Sequence, residues 1–290
     1  MESKFPRTKV GGISLPRMII GTNWFLGYSH YTRAKALYIQ QNVRKREKIS
    51  AILEVFFRHG INAIMGRASE EHPLGDAIRE AEDKTGTGAI IISTPALPVN
   101  GETPEQGFFN GDAEKILDRE AAAGTAICLP HQCTTDAMVD RCTRRIRQFE
   151  GVVKMIRERN MVPGLSTHMP ESIVFADESG LDVETYISIY NAMGFLMQVE
   201  VDWVAKIISR AKKPVIAIKP MAAGHIRPFQ ALAFVWNTIR EKDMVAVGTM
   251  SPDEAEELIE LSLGFIQKRE ASLGLQTTRS KSALEDKGRR

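Results

Sequence analysis

The sequence predicts a closed (β/α)8 barrel, a single TIM-barrel domain of the α/β class. Eight short apolar runs recur along the 290 residues, at 17–22, 63–67, 89–95, 126–132, 162–167, 185–191, 214–220 and 243–250. None alternates strictly between polar and apolar residues, which suits strands covered on both faces and hence a parallel sheet. A helix-like stretch follows each run, and α/β barrels commonly reach this chain length as one domain. That fold places chemistry at the C-terminal ends of the strands, so the residues there are the candidates before any motif is considered.

Segment 5–16 precedes the first run and carries Gly11-Gly12 between short apolar pieces, a hairpin-like pattern suited to the barrel bottom. The connection after strand one, from Asn23 to about Lys48, is unusually long. Its interior, TRAKALYIQQ, has helical character without a strong apolar stripe. A long connection on the functional face suggests a lid or a partner contact. The helix returning to strand two spans 49–59, with Ile52, Leu53, Val55, Phe56 and Phe57 on its buried side and Gly60 as its stop.

Helices over 73–85, 112–123 and 137–159 follow strands two, three and four. The last carries Met138, Cys142, Ile146, Phe149, Val153 and Ile156 at a spacing that faces the barrel, and Arg141, Arg144, Arg145 and Arg147 on a solvated side. Segments 171–177, 199–211, 228–240 and 252–267 complete the helices, and Ser251 with Glu254 forms a capping-box start for the final one. From 270 the composition turns polar. The chain therefore divides into a barrel domain over 1–269 and a mobile tail over 270–290.

A net charge of +2 with 26% charged residues describes an ordinary globular protein and not a basic nucleic-acid binder. Cys128, Cys133 and Cys142 match no zinc spacing, and an odd count without a secretory signal favours a reducing compartment. The N-terminus lacks an apolar signal core, and no run reaches the ~18 apolar residues of a membrane span. The expectation is a cytoplasmic protein whose partner is a small-molecule substrate, with neither nucleic acid nor membrane; its oligomeric state is not legible.

The stretches KPMAAGHIRPFQALAFVWNTI and DMVAVGTMSPDEAEELIEL resemble the last two βα units of the aldo-keto reductases. RHGINAIMGRA, AICLPHQ and GLSTH are similar to that family's second, fourth and fifth strands, so the resemblance spans about 8–267. It implies a barrel with nominal oxidoreductase activity, in which Asp, Tyr, Lys and His protonate a carbonyl while NADPH supplies hydride. Carried over residue by residue, the aspartate falls on Met65, the lysine on Thr94 or Pro95, and GRASEEHPLG offers no phenol. Only the histidine persists, as His131. The nicotinamide-stacking position falls on Ile218, and the turn 248–254, where the family clamps the 2′-phosphate, offers Asp253 and Glu254 without Lys or Arg. NADPH is thereby disfavoured.

The strand tips nevertheless gather chemistry. Asn23, Trp24, Tyr28 and His30 follow strand one; Arg67, Glu70, Glu71 and His72 follow strand two. His131 and Gln132 end strand four, Thr167 and His168 strand five, Tyr190 and Asn191 strand six, Lys219 strand seven and Thr249 strand eight. His131, Glu71 and Lys219 are the catalytic candidates. His131 titrates near neutrality, Glu71 can serve as acid or base, and Lys219 can anchor an anion or form a Schiff base. Each has a bland counterpart: His131 bonding strand backbone, His168 capping the next helix, Lys219 paired with Glu70 or Glu71, Arg67 in an ordinary barrel-mouth salt bridge, and one of Glu70 and Glu71 a helix N-terminal charge. Asn23, Trp24, Arg67, His168 and Asn191 are the substrate-binding candidates, with Trp24 either an aromatic wall or packing for the long loop. Three readings stay open: metal-free acid–base chemistry on a small polar carbonyl- or sugar-like substrate; a divalent metal held by His131 and His168 for isomerisation, elimination or hydrolysis; and a binding barrel without catalysis.

Overall fold

A computed structural model describes residues 4–66, 73–99, 111–274 and 281. All eight runs are strands of one parallel sheet. The chain opens with an antiparallel hairpin, β1 (Arg7–Val10) and β2 (Ile13–Pro16), turning through Gly11 and Gly12, both at positive φ. Then come β3 (Met18–Gly21), α1 (Arg33–Asn42), α2 (Arg46–Arg58), β4 (Ala63–Gly66), α3 (Leu74–Thr85), β5 (Ile90–Ser93), α4 (Gly111–Ala122) and β6 (Thr125–Cys128). The second half runs α5 (Gln132–Ala137), β7 (Val139–Asp140), β8 (Arg145–Ile146), α6 (Phe149–Glu158), β9 (Val162–Pro163), β10 (Leu165–Ser166), α7 (Glu171–Ser179) and β11 (Tyr186–Ile189). It ends with α8 (Val201–Arg210), β12 (Val215–Ile218), α9 (Pro228–Thr238), β13 (Met244–Val247) and α10 (Pro252–Gln267).

The sheet order is β10-β11-β12-β13-β3-β4-β5-β6-β9. β9 and β10 are the two halves of the fifth run, broken at Gly164. The Gly164 N–H donates to Cys128 O at 3.0 Å on one side, and the Leu165 N–H donates to Thr185 O at 3.0 Å on the other. One interrupted strand thus joins both ends of the sheet and closes the barrel. A Cβ at Gly164 would lie 2.5 Å from the Leu129 side chain, so only glycine lets the strand pass there.

The missing alternation has a direct cause. Ile19, Ile92, Ile127, Leu129, Ile187, Ile216 and Met244 fill the barrel interior, while their strand neighbours, such as Ile20 and Val245, face the helices. Successive side chains point to opposite faces, and here both faces are dry. At the bottom, fully buried Asp243 receives the Arg240 guanidinium fork and the Val215 N–H at 2.8 Å. That bond set ties α9 to β12 and β13.

The expected helix over 137–159 is not continuous. The Asp140 carboxylate accepts the N–H groups of Cys142 and Thr143 at 2.9 and 3.2 Å, which turns the chain into the β7–β8 hairpin. Arg144 and Gln148 take positive φ, and helix resumes only at Phe149. Such side-chain-to-backbone bonds compete with helix wherever Asp can reach the next two amides. The arginines of this segment are exposed, and two of them also pair with α7. Arg141 pairs with Glu171 and Arg144 with Glu178 of α7, and the Arg144 guanidinium sits 4.9 Å from the Phe175 ring centroid. The helical stretch expected in the first connection is α1, capped by Thr32 and burying only Ile39. Among the described residues no helix is long and apolar enough to cross a membrane. Most of the polar tail lies outside the described residues.

Candidate functional site

Parallel closure brings every strand tip to one mouth, but the tips do not contribute equally. Arg67, Glu70, Glu71 and His72 lie outside the described residues. Asn191 is wholly buried and belongs to its own loop: its Oδ1 accepts from Met193 N and Phe195 N at 3.2 and 2.9 Å, and its Nδ2 donates to Phe195 O at 3.1 Å. It shapes the β11–α8 connection and does not present its amide to a substrate, which corrects its expected binding role. Trp24 is partly buried against the turn after β13, where a side chain on Gly248 would meet its ring at 3.7 Å. That contact favours loop packing over an aromatic wall. Asn23 is exposed beside it.

His131 stands at the rim, partly exposed, as the N-cap of α5. Its backbone N–H donates to Pro95 O at 2.8 Å, which fixes the strand-four tip against strand three. Nδ1 accepts the Cys133 N–H at 3.3 Å and lies 3.0 Å from Cys133 Sγ. A ring nitrogen that accepts an N–H is the unprotonated one, so the neutral ring carries its proton on Nε2.

His168 follows strand five. Asp136 fixes this tip, accepting the His168 N–H at 3.1 Å and the Thr167 hydroxyl at 2.5 Å. Helix α7 has no side-chain cap, so the alternative role for His168 as its cap does not hold. Burial, followed by the charges of Lys219, His131 and His30, pushes the His168 imidazole down to about 4. His30, on the long first connection, is held below its ordinary value by the surrounding protein and then by Lys219.

Lys219 ends β12 in the left-handed region, at φ 57. A non-glycine residue there is strained, and such strain collects at functional sites. Burial lowers the affinity of its ammonium for the proton. Among the described residues no carboxylate pairs with it. His168 thus feels Lys219, His131 and His30, and His30 feels Lys219, so basic side chains from four different connections border one mouth. Burial favours the neutral forms of Lys219 and His30, and His168 stays neutral down to about 4. The arrangement can hold a small anion and pass protons to and from it.

Two features were not found from the sequence. Cys133, weighed only against zinc spacings, is the side-chain partner of His131. His225 packs between Tyr31 and Phe195, with ring centroids 4.5 and 5.2 Å apart, and so ties the first connection to the loops after β11 and β12. Residues this far apart in sequence leave no local signal. Among the described residues no three His, Cys, Asp or Glu side chains gather as a cation site.

Beside the mouth, α1, the start of α2 and the start of α10 line an open cleft of about 740 Å³, with Tyr31, Tyr38, Lys35, Lys45, Lys48 and the turn from Met250 to Pro252 on its walls. The sequence-based view that this turn lacks cations holds for the turn itself and not for the facing wall, where three lysines stand. The turn does not fit a nucleotide phosphate. Glu254 Oε2 accepts the Met250 N–H at 2.7 Å and Ser251 Oγ accepts the Glu254 N–H at 3.1 Å. Pro252 has no N–H to offer, and Asp253 and Glu254 add two acidic side chains to the first turn of α10, which disfavours a dianion there. Ile218 is packed into the barrel interior.

No family model matches the chain, and no curated protein matches it in sequence. Solved structures do match its shape. A Pseudomonas aeruginosa protein assigned as an aldo-keto reductase superposes with a TM-score of 0.62 at 14% identity, covering 91% of this chain and 97% of that one. The aldose reductase of Giardia lamblia gives 0.50 at 12% identity, over 93% and 90%. Orotidine 5′-monophosphate decarboxylase of Methanocaldococcus jannaschii gives 0.52 at 14%, over 85% and 98%. The chain has an aldo-keto reductase-like barrel fold. A decarboxylase shares the same shape, so the fold does not select the chemistry.

Proposed function

We propose that this barrel is an enzyme acting by acid–base catalysis on a small, polar, carbonyl-bearing anion bound in its C-terminal mouth. The observation that carries the proposal is the convergence of His30, His131, His168 and Lys219 with no described carboxylate to neutralise the lysine. A partly buried ammonium without a counter-ion gains from an anionic ligand. Lys219 anchors the anion. His168, held neutral well below physiological pH, offers a hydrogen bond without adding charge. His131, at the rim, takes and returns a proton beside the carbonyl, within the range where one positioned imidazole contributes roughly 10²–10⁴-fold.

Hydride transfer of the aldo-keto reductase kind is the less suited chemistry. Met65, where the family's aspartate would stand, packs against the barrel interior, and Thr94 and Pro95 replace its lysine. No step is assigned to a nucleotide. The test is solvent deuterium exchange at the carbon next to the carbonyl, followed by NMR over a panel of small 2-oxo acids and sugar phosphates. At least one compound should exchange, and His131→Ala should lower that rate roughly 10²–10⁴-fold while the fold persists. Exchange unaffected by His131→Ala would refute the assignment.

A further inference from the structure

The pair formed by Cys133 and His131 has the composition of an activated nucleophile. Cys133 is exposed, two residues after the strand-four tip, with Sγ 3.0 Å from His131 Nδ1. The Cys133 N–H also donates to that nitrogen at 3.3 Å, so Nδ1 is the unprotonated nitrogen of the neutral ring and its lone pair is shared between the Cys133 amide and thiol. A histidine could have presented its protonated nitrogen instead; the backbone contact selects the tautomer that accepts a proton. The His131 backbone is bonded to Pro95 at the tip of the third run, so the thiol two residues on borders the same mouth. The other two cysteines differ in the relevant respects. Cys142 is exposed but follows the Asp140 turn, away from any histidine contact among the described residues, and Cys128 is wholly buried between strand and helix, with its thiol pushed up to about 12.

We propose that Cys133 is a nucleophile activated by His131 and directed at the carbonyl carbon of the bound substrate. This deepens the reading of the mouth as a carbonyl-anion site and rests on it. In the step, His131 Nδ1 takes the thiol proton and Sγ forms a bond to the carbonyl carbon. The C=O π pair moves onto oxygen, and that oxygen receives the proton back from the imidazolium. The product is a hemithioacetal or hemithioketal. Nothing is oxidised or reduced, and no further reactant is needed. The residue that removes protons beside the carbonyl in one part of a turnover thus also generates the thiolate in another.

The test is alkylation of the intact protein by iodoacetamide, with each cysteine followed by peptide mass mapping across a range of pH. Cys133 should be modified about tenfold or more faster than Cys142 at neutral pH, with Cys128 silent until the protein is unfolded. Because His131 also caps α5, His131→Asn is the informative variant: it keeps an acceptor for the cap and loses the base. In that variant the Cys133 rate should fall to that of Cys142, and its pH profile should shift to that of an ordinary thiol. Equal rates and profiles for Cys133 and Cys142 in the wild type would overturn the proposal. A Cys133 rate unchanged in His131→Asn would do so as well. If Cys133 proves inert while His131→Ala still abolishes deuterium exchange, the nucleophile is refuted and the acid–base site stands.

Discussion

His168 offers a sharp physical handle on the mouth, because the fold opposes its protonation. Unfolded, an imidazole takes up its proton near 6.5; in the folded chain burial, with Lys219 and two other imidazoles, pushes this down to about 4. Between those values the unfolded chain binds more protons than the folded one. The contribution to stability is therefore complete above 6.5 and is lost progressively as pH falls toward 4. From about pH 7 to about pH 5 this one residue should remove roughly 2 kcal/mol. Other groups titrate in the same interval, so the measurement is a difference: urea melts at both pH values for the wild type and for His168→Gln. The variant should lose about 2 kcal/mol less than the wild type over that interval. Identical pH dependence in the two proteins would show that His168 is neither buried nor surrounded as described. Removing a neighbouring charge gives a second reading of the same group. In Lys219→Met the NMR titration midpoint of His168 should rise, since the second of its causes is gone.

Two further outcomes concern the barrel bottom and the turn after β13. Asp243→Asn should destabilise the protein by about 3 kcal/mol, because the Arg240 fork loses its buried counter-charge; an unchanged melting temperature would contradict that. NADPH should show no saturable micromolar binding by fluorescence quenching, and NADH should be disfavoured less. Tight NADPH binding that weakens in Lys35→Ala would show that the lysines facing the turn override its acidic residues.

The barrel was legible because its strands have to be apolar on both faces, which a short run such as IIIS or MVAV states directly. Closure was less legible: Gly164 reads as one glycine among 22, and its role depends on Leu129 standing 2.5 Å from where a side chain would be. The segment 137–159 misled because its buried residues keep helical spacing across a hairpin. Met138, Ile146 and Phe149 are all buried, yet Asp140 takes the amides that a helix would need. At the mouth, strand-tip position pointed to His131, His168 and Lys219, and the resemblance pointed to His131 as well. It also suggested Asn191, whose amide proved to be used by backbone two and four residues on. The Cys133 contact arises from the way α5 begins, and no pattern of residue types announces it.

The proposal that the mouth receives a small anion on Lys219 is best tested by following the imidazole resonances of His30, His131 and His168 as phosphate or a small 2-oxo acid is added. All three should shift along one saturable curve, and the titration midpoints of His168 and His30 should move upward as the ligand offsets the lysine charge. In Lys219→Met the same additions should leave the resonances where they are. Shifts that persist in Lys219→Met, or wild-type imidazoles indifferent to every anion tried, would contradict it.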